Sequence, residues 1–108
     1  MTAEDFAKLF YSEKQDLLRS YTTGSETLVF SLVKEMKLTH DQQALMKKAI
    51  DAVLTDTFYT VLLGLDGAAS IGGVEEDYVI RDESGTILTG GGDIEAHAYD
   101  LFHGQDDD

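Results

Sequence analysis

The sequence predicts an α+β domain with an N-terminal cluster of three or four helices, one β-hairpin and a C-terminal helix packed back on the bundle. Three observations lead to this prediction. Apolar residues recur at helical spacing through the first 63 residues, and nine of the ten glycines follow them. Two short β-rich runs then flank a turn. We expect one domain over residues 1–104 and a frayed acidic tail over 105–108.

The first helix is predicted to begin with a capping box of Thr2 and Asp5. Ser12 and Gln15 form a second cap pattern, so two short helices that meet near Tyr11 are an alternative to one long helix. After a loop, Thr23 or Ser25 is predicted to cap a second helix. The apolar stripe of this second helix consists of Leu28, Val29, Leu32, Val33 and Met36.

A third helix is predicted to begin with a capping box of Thr39 and Gln42. Its end is ambiguous, because residues 57–63 are rich in β-branched and aromatic residues and would also suit a strand. We favour a continued helix, since the apolar line is unbroken and no Gly or Pro precedes Gly64.

The second half of the chain contains the predicted hairpin. Residues 78–81 and 86–89 are β-rich runs, and residues 82–85 between them suit a turn that places Gly85 in the left-handed region. Asp93 is then predicted to cap a final amphipathic helix.

The charge of the chain is strongly asymmetric. Its net charge is −13, but residues 1–55 hold eight acidic and seven basic residues and contribute only −1. Residues 56–108 hold thirteen acidic residues and the single base Arg81, and contribute −12. Such a field repels nucleic acid and anionic membranes and attracts cationic surfaces. We therefore expect a basic protein partner and no direct nucleic-acid binding; solubility alone is the alternative explanation of the bulk charge.

The predicted partner-binding surface is an acidic face around the hairpin and the last helix. A contiguous acidic face raises the association rate of a basic partner. Two amphipathic tyrosines within it would serve as anchors, and their burial in the core is the alternative. The residues of this face are Glu75, Glu76, Asp77, Tyr78, Asp82, Glu83, Asp93, Glu95, Tyr99 and Asp100.

A second hypothesis is a small metal-binding protein or enzyme. Asp93 and His97 are four residues apart on the last predicted helix, and Asp100 and His103 are three apart, so each pair would supply two ligands. A zinc site needs at least three protein ligands. Asp56 is the only carboxylate set among apolar residues, as general acid or base catalysis requires. An aspartate inside the helix with a hydrogen-bond partner is the alternative that we favour for this residue. We expect neither an enzyme nor a bound cofactor or metal.

A third hypothesis is a structural subunit that forms a homodimer through an exposed strand edge or an apolar groove.

Other features of the sequence bear on the cellular compartment of the protein. Cysteine is absent, so the chain has neither a disulfide framework nor a thiolate site. The longest apolar run, residues 58–65, is far shorter than the roughly 20 residues of a membrane span. The N-terminus lacks the pattern of a signal peptide. We expect a cytoplasmic protein without membrane contact.

Residues 57–67 (TFYTVLLGLDG) and 95–103 (EAHAYDLFH) carry a resemblance that covers about half of the chain. The chain resembles small bacterial cytoplasmic proteins of the toxin-immunity type. Some of those proteins are encoded beside polymorphic or contact-dependent toxins, and they are often acidic and cap a basic nuclease toxin. The resemblance implies a non-enzymatic inhibitor with a basic toxin as its partner, and it identifies no individual binding residue.

Overall fold

Four α-helices and no β-sheet form the part of the chain that the structure, a computed structural model, describes: residues 1–24 and 26–104. The predicted α+β class is therefore wrong. The acidic tail predicted over 105–108 lies outside the described residues. The helices are α1 (Ala3–Thr22), α2 (Leu28–Glu35), α3 (His40–Leu65) and α4 (Asp93–Phe102).

Capping boxes begin two of the long helices. Thr2 with Asp5 caps α1, and Thr39 with Gln42 caps α3, so both predicted boxes are confirmed. The alternative of two short helices meeting near Tyr11 is wrong, because α1 is one helix of 20 residues. Each box satisfies backbone N–H groups that have no partner within the helix.

The cap of α2 differs from the prediction. The Thr23 hydroxyl donates to the Arg19 carbonyl and so closes the end of α1. Thr27 caps α2 instead, and its hydroxyl accepts the Phe30 N–H at 3.1 Å. Ser25, the other predicted cap, lies outside the described residues.

Helix α3 continues through residues 57–63, which confirms the helical interpretation of that segment. Gly64 near its end has a packing role. A Cβ atom at this position would overlap the side chain of Ile71, so glycine allows the chain that follows α3 to fold back against the helix.

The predicted hairpin does not form a pair of strands. Within the described residues, β-pairing is limited to two isolated bridges, one between Arg81 and Ile87 and one between Ile71 and Val74. The predicted turn is present, since Gly85 has a φ of 87°. The segment between α3 and α4 is therefore a folded loop with one bridge next to its turn.

Side chains replace some of the hydrogen bonds that a hairpin ladder would make, while the Leu88 N–H still donates to the Ile80 carbonyl at 2.8 Å. The Thr89 hydroxyl accepts the Ile80 N–H at 3.1 Å, and the Asp82 carboxylate accepts the Thr86 N–H at 3.0 Å. Thr and Asp side chains offer the backbone such an alternative to secondary structure. Residue propensity does not reveal this competition, which is why the β-rich runs predicted strands.

The hydrophobic core lies where α1, α3 and α4 meet. Its buried members are Leu62 of α3, Leu88 of the loop and three residues of α4, Ile94, Ala98 and Phe102. Burial of apolar surface on this scale is the main force that stabilises a small domain. The partly buried side chains packed around this cluster are Ala3, Phe6, Phe10, Tyr11, Phe58, Tyr59, Ile80 and Leu101.

The molecule has two unlike ends. We call residues 1–16 and 56–104 the packed end, and residues 17–24 and 26–55 the open end. Every buried residue of the described chain belongs to the packed end. Helix α2, in the open end, lies against α1, and none of its Cα atoms is within 8 Å of a Cα atom of α3 or α4. In the described residues, every helix is too short or too polar to cross a membrane.

Candidate functional site

Asp66, which follows α3, fixes the start of α4. Its carboxylate is buried and accepts the Gly90 N–H at 2.9 Å and the Glu95 N–H at 3.0 Å. Gly92 occupies the N-cap position with a φ of 79° and has no side chain to offer, so Asp66 caps α4 in its place. The prediction that Asp93 caps this helix is therefore wrong; Asp93 is its first residue and is exposed.

The outer side of α4 and the adjacent turn of α3 form a shallow depression. Gly92 and Ala96 line it together with four larger side chains, which we call the acidic–aromatic patch: Tyr59, Glu95, Tyr99 and Asp100. Tyr99 is 51% exposed, so this tyrosine is not a core residue. The His103 ring packs edge-on against Tyr59, with ring centroids 4.4 Å apart, and supports the patch from one side.

The electrostatics of the patch favour a cation. Burial raises the pKa of Tyr59, and the negative charge of Glu95 and the nearby Tyr99 raise it further. Carboxylates beside aromatic faces bind guanidinium and ammonium groups through charge-assisted hydrogen bonds and cation–π contacts.

Three more residues of the predicted acidic face lie on the loop between α3 and α4. Glu75, Glu76 and Asp77 are exposed. Asp77 lies beside Gly67, where a Cβ atom would be 3.2 Å from its Oδ1 atom. Since Gly67 directly follows Asp66, the Asp77 carboxylate lies beside the turn that holds the start of α4.

The remaining members of the predicted face lie elsewhere. The Asp82 carboxylate accepts a hydrogen bond from the Met1 ammonium at 2.9 Å, and this contact, together with the Thr86 N–H, lowers its pKa to about 2. The Asp82 carboxylate is therefore engaged in hydrogen bonds with the N-terminus and with the loop backbone. Glu83 is exposed beside it, on a surface different from the patch, and Tyr78 is half-buried.

The four side chains of the metal-binding hypothesis do not converge. Across residues 1–24 and 26–104, no group of three or more His, Asp or Glu side chains is arranged to hold a metal ion. His103 packs on tyrosine rings, His97 is half-buried, and Asp93 and Asp100 are exposed. This arrangement gives the second hypothesis no support.

A buried lysine is the feature that sequence reasoning missed. The Lys14 side chain is only 8% exposed, and its Nζ atom lies 2.7 Å from Asp51 Oδ1. The same ammonium lies 5.4 Å from the ring centroid of Tyr11 and 5.9 Å from that of Phe102. It thus joins α1, α3 and α4 at the border between the two ends, and the ion pair and the rings compensate for its burial.

The burial of Lys14 could have been predicted from its position in α1. Lys14 is four residues after Phe10 and seven after Ala7, so it lies on the core-facing row of the helix. A lysine on such a row needs a partner on a neighbouring element.

Asp56, the candidate acid or base, is exposed and lines the cleft around Lys14, so it does not lie in apolar surroundings.

The chain matches no protein-family model, no curated protein and no solved structure.

Proposed function

We propose that the packed end binds a basic protein through the acidic–aromatic patch and acts without catalysis. The observation that carries this proposal is the exposed Tyr99 ring, which lines one shallow depression together with Tyr59, Glu95 and Asp100. An exposed aromatic ring supplies contact area, and the two carboxylates supply charge-assisted hydrogen bonds. This combination suits an arginine or lysine side chain of a partner.

The charge of the packed end supports the same proposal. Its described residues carry fourteen acidic and three basic side chains, a net charge of −11. A field of this sign and size accelerates association with a basic protein and weakens with added salt. The exposed carboxylates Glu75, Glu76 and Asp77 would contribute mainly to this acceleration.

The specific form of the proposal is a cytoplasmic immunity or inhibitor protein that masks the active cleft of a basic bacterial toxin. Two observations favour it. All four patch residues fall within segments 57–67 and 95–103, which carry the resemblance to toxin-immunity proteins. An acidic surface with an exposed tyrosine also resembles, in charge, the nucleic-acid substrate of a nuclease.

The test compares two double variants that remove the same charge from different places. In Glu95→Gln with Asp100→Asn, the patch loses two carboxylates; in the control, Glu13→Gln with Asp41→Asn, two exposed carboxylates of α1 and α3 are lost. The probe is a fluorescent arginine-rich peptide at low salt. We expect the patch variant to raise the Kd about tenfold and the control to change it less than about twofold. Equal effects would show that only the bulk charge matters and would reject the patch.

The loop carboxylates are tested separately by kinetics. Reversal of charge at Glu75, Glu76 and Asp77, each to Lys, is expected to slow association with the same peptide and to flatten its salt dependence, with little change in dissociation. Unchanged association kinetics would exclude these residues from partner capture. Tyr99→Ala serves as the complement, because it removes the ring without removing charge and is expected to speed dissociation.

A further inference from the structure

A groove runs between α2 and α3 in the open end, and the side chains of the protein leave it open. No Cα atom of α2 lies within 8 Å of a Cα atom of α3, whereas the axes of two packed helices are only about 8 to 10 Å apart. The space between them has a volume of about 270 Å³. Its apolar lining consists of half-buried side chains: Tyr21, Phe30, Val33, Leu38, Met46 and Ile50.

Lysines surround this apolar groove. Lys34, Lys37 and Lys47 line it, all three are exposed, and no acidic residue is among the lining residues. In residues 1–24 and 26–104 the ion pairs involve other cationic groups, so these three ammonium groups are available to a ligand. Three of the eight basic residues of the chain thus surround one apolar site, in a protein whose net charge is −13. This local reversal of sign attracts an anion.

The backbone at Lys37 supports a role for this lysine in binding. Helix α2 ends at Glu35, and Lys37 follows with a φ of 51°, which is the one positive φ outside glycine in the described part of the chain. Glycine is the usual residue in this left-handed position after a helix, because a side chain there strains the backbone. A lysine at this position costs stability that glycine would not, and such strain is typical of functional positions.

We propose that the groove binds a free fatty acid, with the alkyl chain along the apolar lining and the carboxylate at the three lysines. The alkyl chain exchanges contact with water for contact with side chains such as Phe30, Val33 and Ile50. The carboxylate accepts charge-assisted hydrogen bonds from the ammonium groups. A volume at the lower end of the range for ligand sites suits a single flexible chain better than a large ring system.

The charge of the whole chain favours a small anion over an acidic protein as the ligand. An acidic protein carries many negative charges and is repelled by a net charge of −13. A fatty acid carries one charge, and beyond about 8 Å the other charges of the protein are largely screened at physiological salt, so the lysines that it touches dominate. The groove is separate from the acidic–aromatic patch, and this proposal does not depend on the proposed function.

Isothermal titration calorimetry with saturated carboxylates tests both parts of the site. The probes are octanoate, decanoate and dodecanoate, with decanol as the uncharged counterpart of decanoate. We expect the Kd to fall about twofold to fourfold with each added methylene group, and decanoate to bind at least about tenfold more tightly than decanol. The proposal is overturned if decanol binds as tightly as decanoate. It is also overturned if decanoate does not bind at about 1 mM while a glutamate-rich peptide does, which would assign the groove to an acidic protein segment.

Two neighbouring lysines of α3 provide a matched pair of variants. Lys47 lines the groove, whereas Lys48 lines the cleft around Lys14. Both side chains are exposed, so replacement of either by Gln should preserve the fold. We expect Lys47→Gln to raise the Kd of decanoate about fivefold and Lys48→Gln to change it less than about twofold. Equal effects of the two variants would reject the site.

The variant Lys37→Gly separates binding from stability. Glycine relaxes the left-handed backbone, so the variant should have a higher Tm than the wild type. It also removes one ammonium group from the groove and should raise the Kd of decanoate about fivefold. A variant with a higher Tm that binds decanoate as tightly as the wild type would contradict the role of Lys37 in binding the carboxylate.

Discussion

Helix α3 runs through both ends of the molecule, and its two halves have opposite surroundings. Leu62 in the packed end is fully buried, whereas Leu45 in the open end is 65% exposed. The packed end carries a net charge of −11 and the open end +1. The carboxylates that repel one another are thus concentrated in the packed end, where burial of the hydrophobic core offsets the destabilisation that this repulsion causes.

The comparison also separates two kinds of contact surface. The packed end displays carboxylates around an exposed tyrosine, which suits a charged partner with salt-sensitive association. The open end displays leucine and methionine with nearly balanced charge. The two surfaces lie on different elements, since no Cα atom of α2 is within 8 Å of a Cα atom of α3 or α4.

The largest expected effect comes from the same substitution in the two halves of α3. Leu62→Ala leaves a cavity in the core and should lower the free energy of unfolding by about 3 kcal/mol. Leu45→Ala removes an exposed side chain and should change it by less than about 0.5 kcal/mol. Urea unfolding followed by far-UV circular dichroism measures both. Similar losses of stability in the two variants would mean that Leu45 in the open end is packed as tightly as Leu62 in the packed end.

The next effect concerns the buried carboxylate that holds α4. Asp66→Ala leaves the N–H groups of Gly90 and Glu95 without their acceptor and should lower the free energy of unfolding by about 2 to 3 kcal/mol. Asp56→Ala, which removes an exposed carboxylate ten residues earlier, is the control and should be nearly neutral. Urea denaturation at neutral pH measures the difference. A neutral Asp66→Ala variant would contradict the capping role.

A smaller effect is expected in the loop between α3 and α4. Thr89→Val keeps the shape of the side chain but removes the hydroxyl that accepts the Ile80 N–H, and it should lower the free energy of unfolding by about 1 kcal/mol. Thr86→Val, at an exposed position in the same loop, is the matched control. Thermal unfolding distinguishes the two. Equal effects would indicate that the hydroxyl of Thr89 does not order the loop.

The smallest effect depends on pH. The Met1 ammonium and the Thr86 N–H lower the pKa of Asp82 from 3.8 to about 2. A carboxyl group with a lowered pKa stabilises the fold above its unfolded pKa, and this contribution is lost as the pH falls from about 4 to about 2. Asp82→Asn should therefore flatten the dependence of Tm on pH in that window. An identical acid profile in the variant would contradict this role of Asp82.

The helices could be predicted from the sequence because their signals are local. The capping boxes at Thr2 and Thr39 and the unbroken apolar line through 57–63 require no knowledge of distant residues. The loop could not be predicted, because Thr89 and Asp82 compete with backbone pairing only once the chain has folded around them. The same holds for Asp66, whose two acceptors serve residues 24 and 29 positions further along the chain.

The candidate site was predictable in part. The sequence located the negative charge in the second half, and the patch residues Glu95, Tyr99 and Asp100 were among those predicted. Tyr59 was not, because its proximity to α4 depends on how α3 and α4 pack. The buried Lys14 and its partner Asp51 were missed for a similar reason, since they are far apart in the sequence and meet across two helices.

The measurement that tests the account most directly is a titration of ¹⁵N-labelled protein with the arginine-rich peptide, followed by two-dimensional NMR. It reports on both ends of the molecule in one sample. The account predicts that amide resonances of residues 93–101 and 75–77 shift with the peptide, while those of residues 28–36 stay in place. Shifts concentrated in α2, or spread evenly along the chain, would contradict the claim that the packed end alone receives a basic partner.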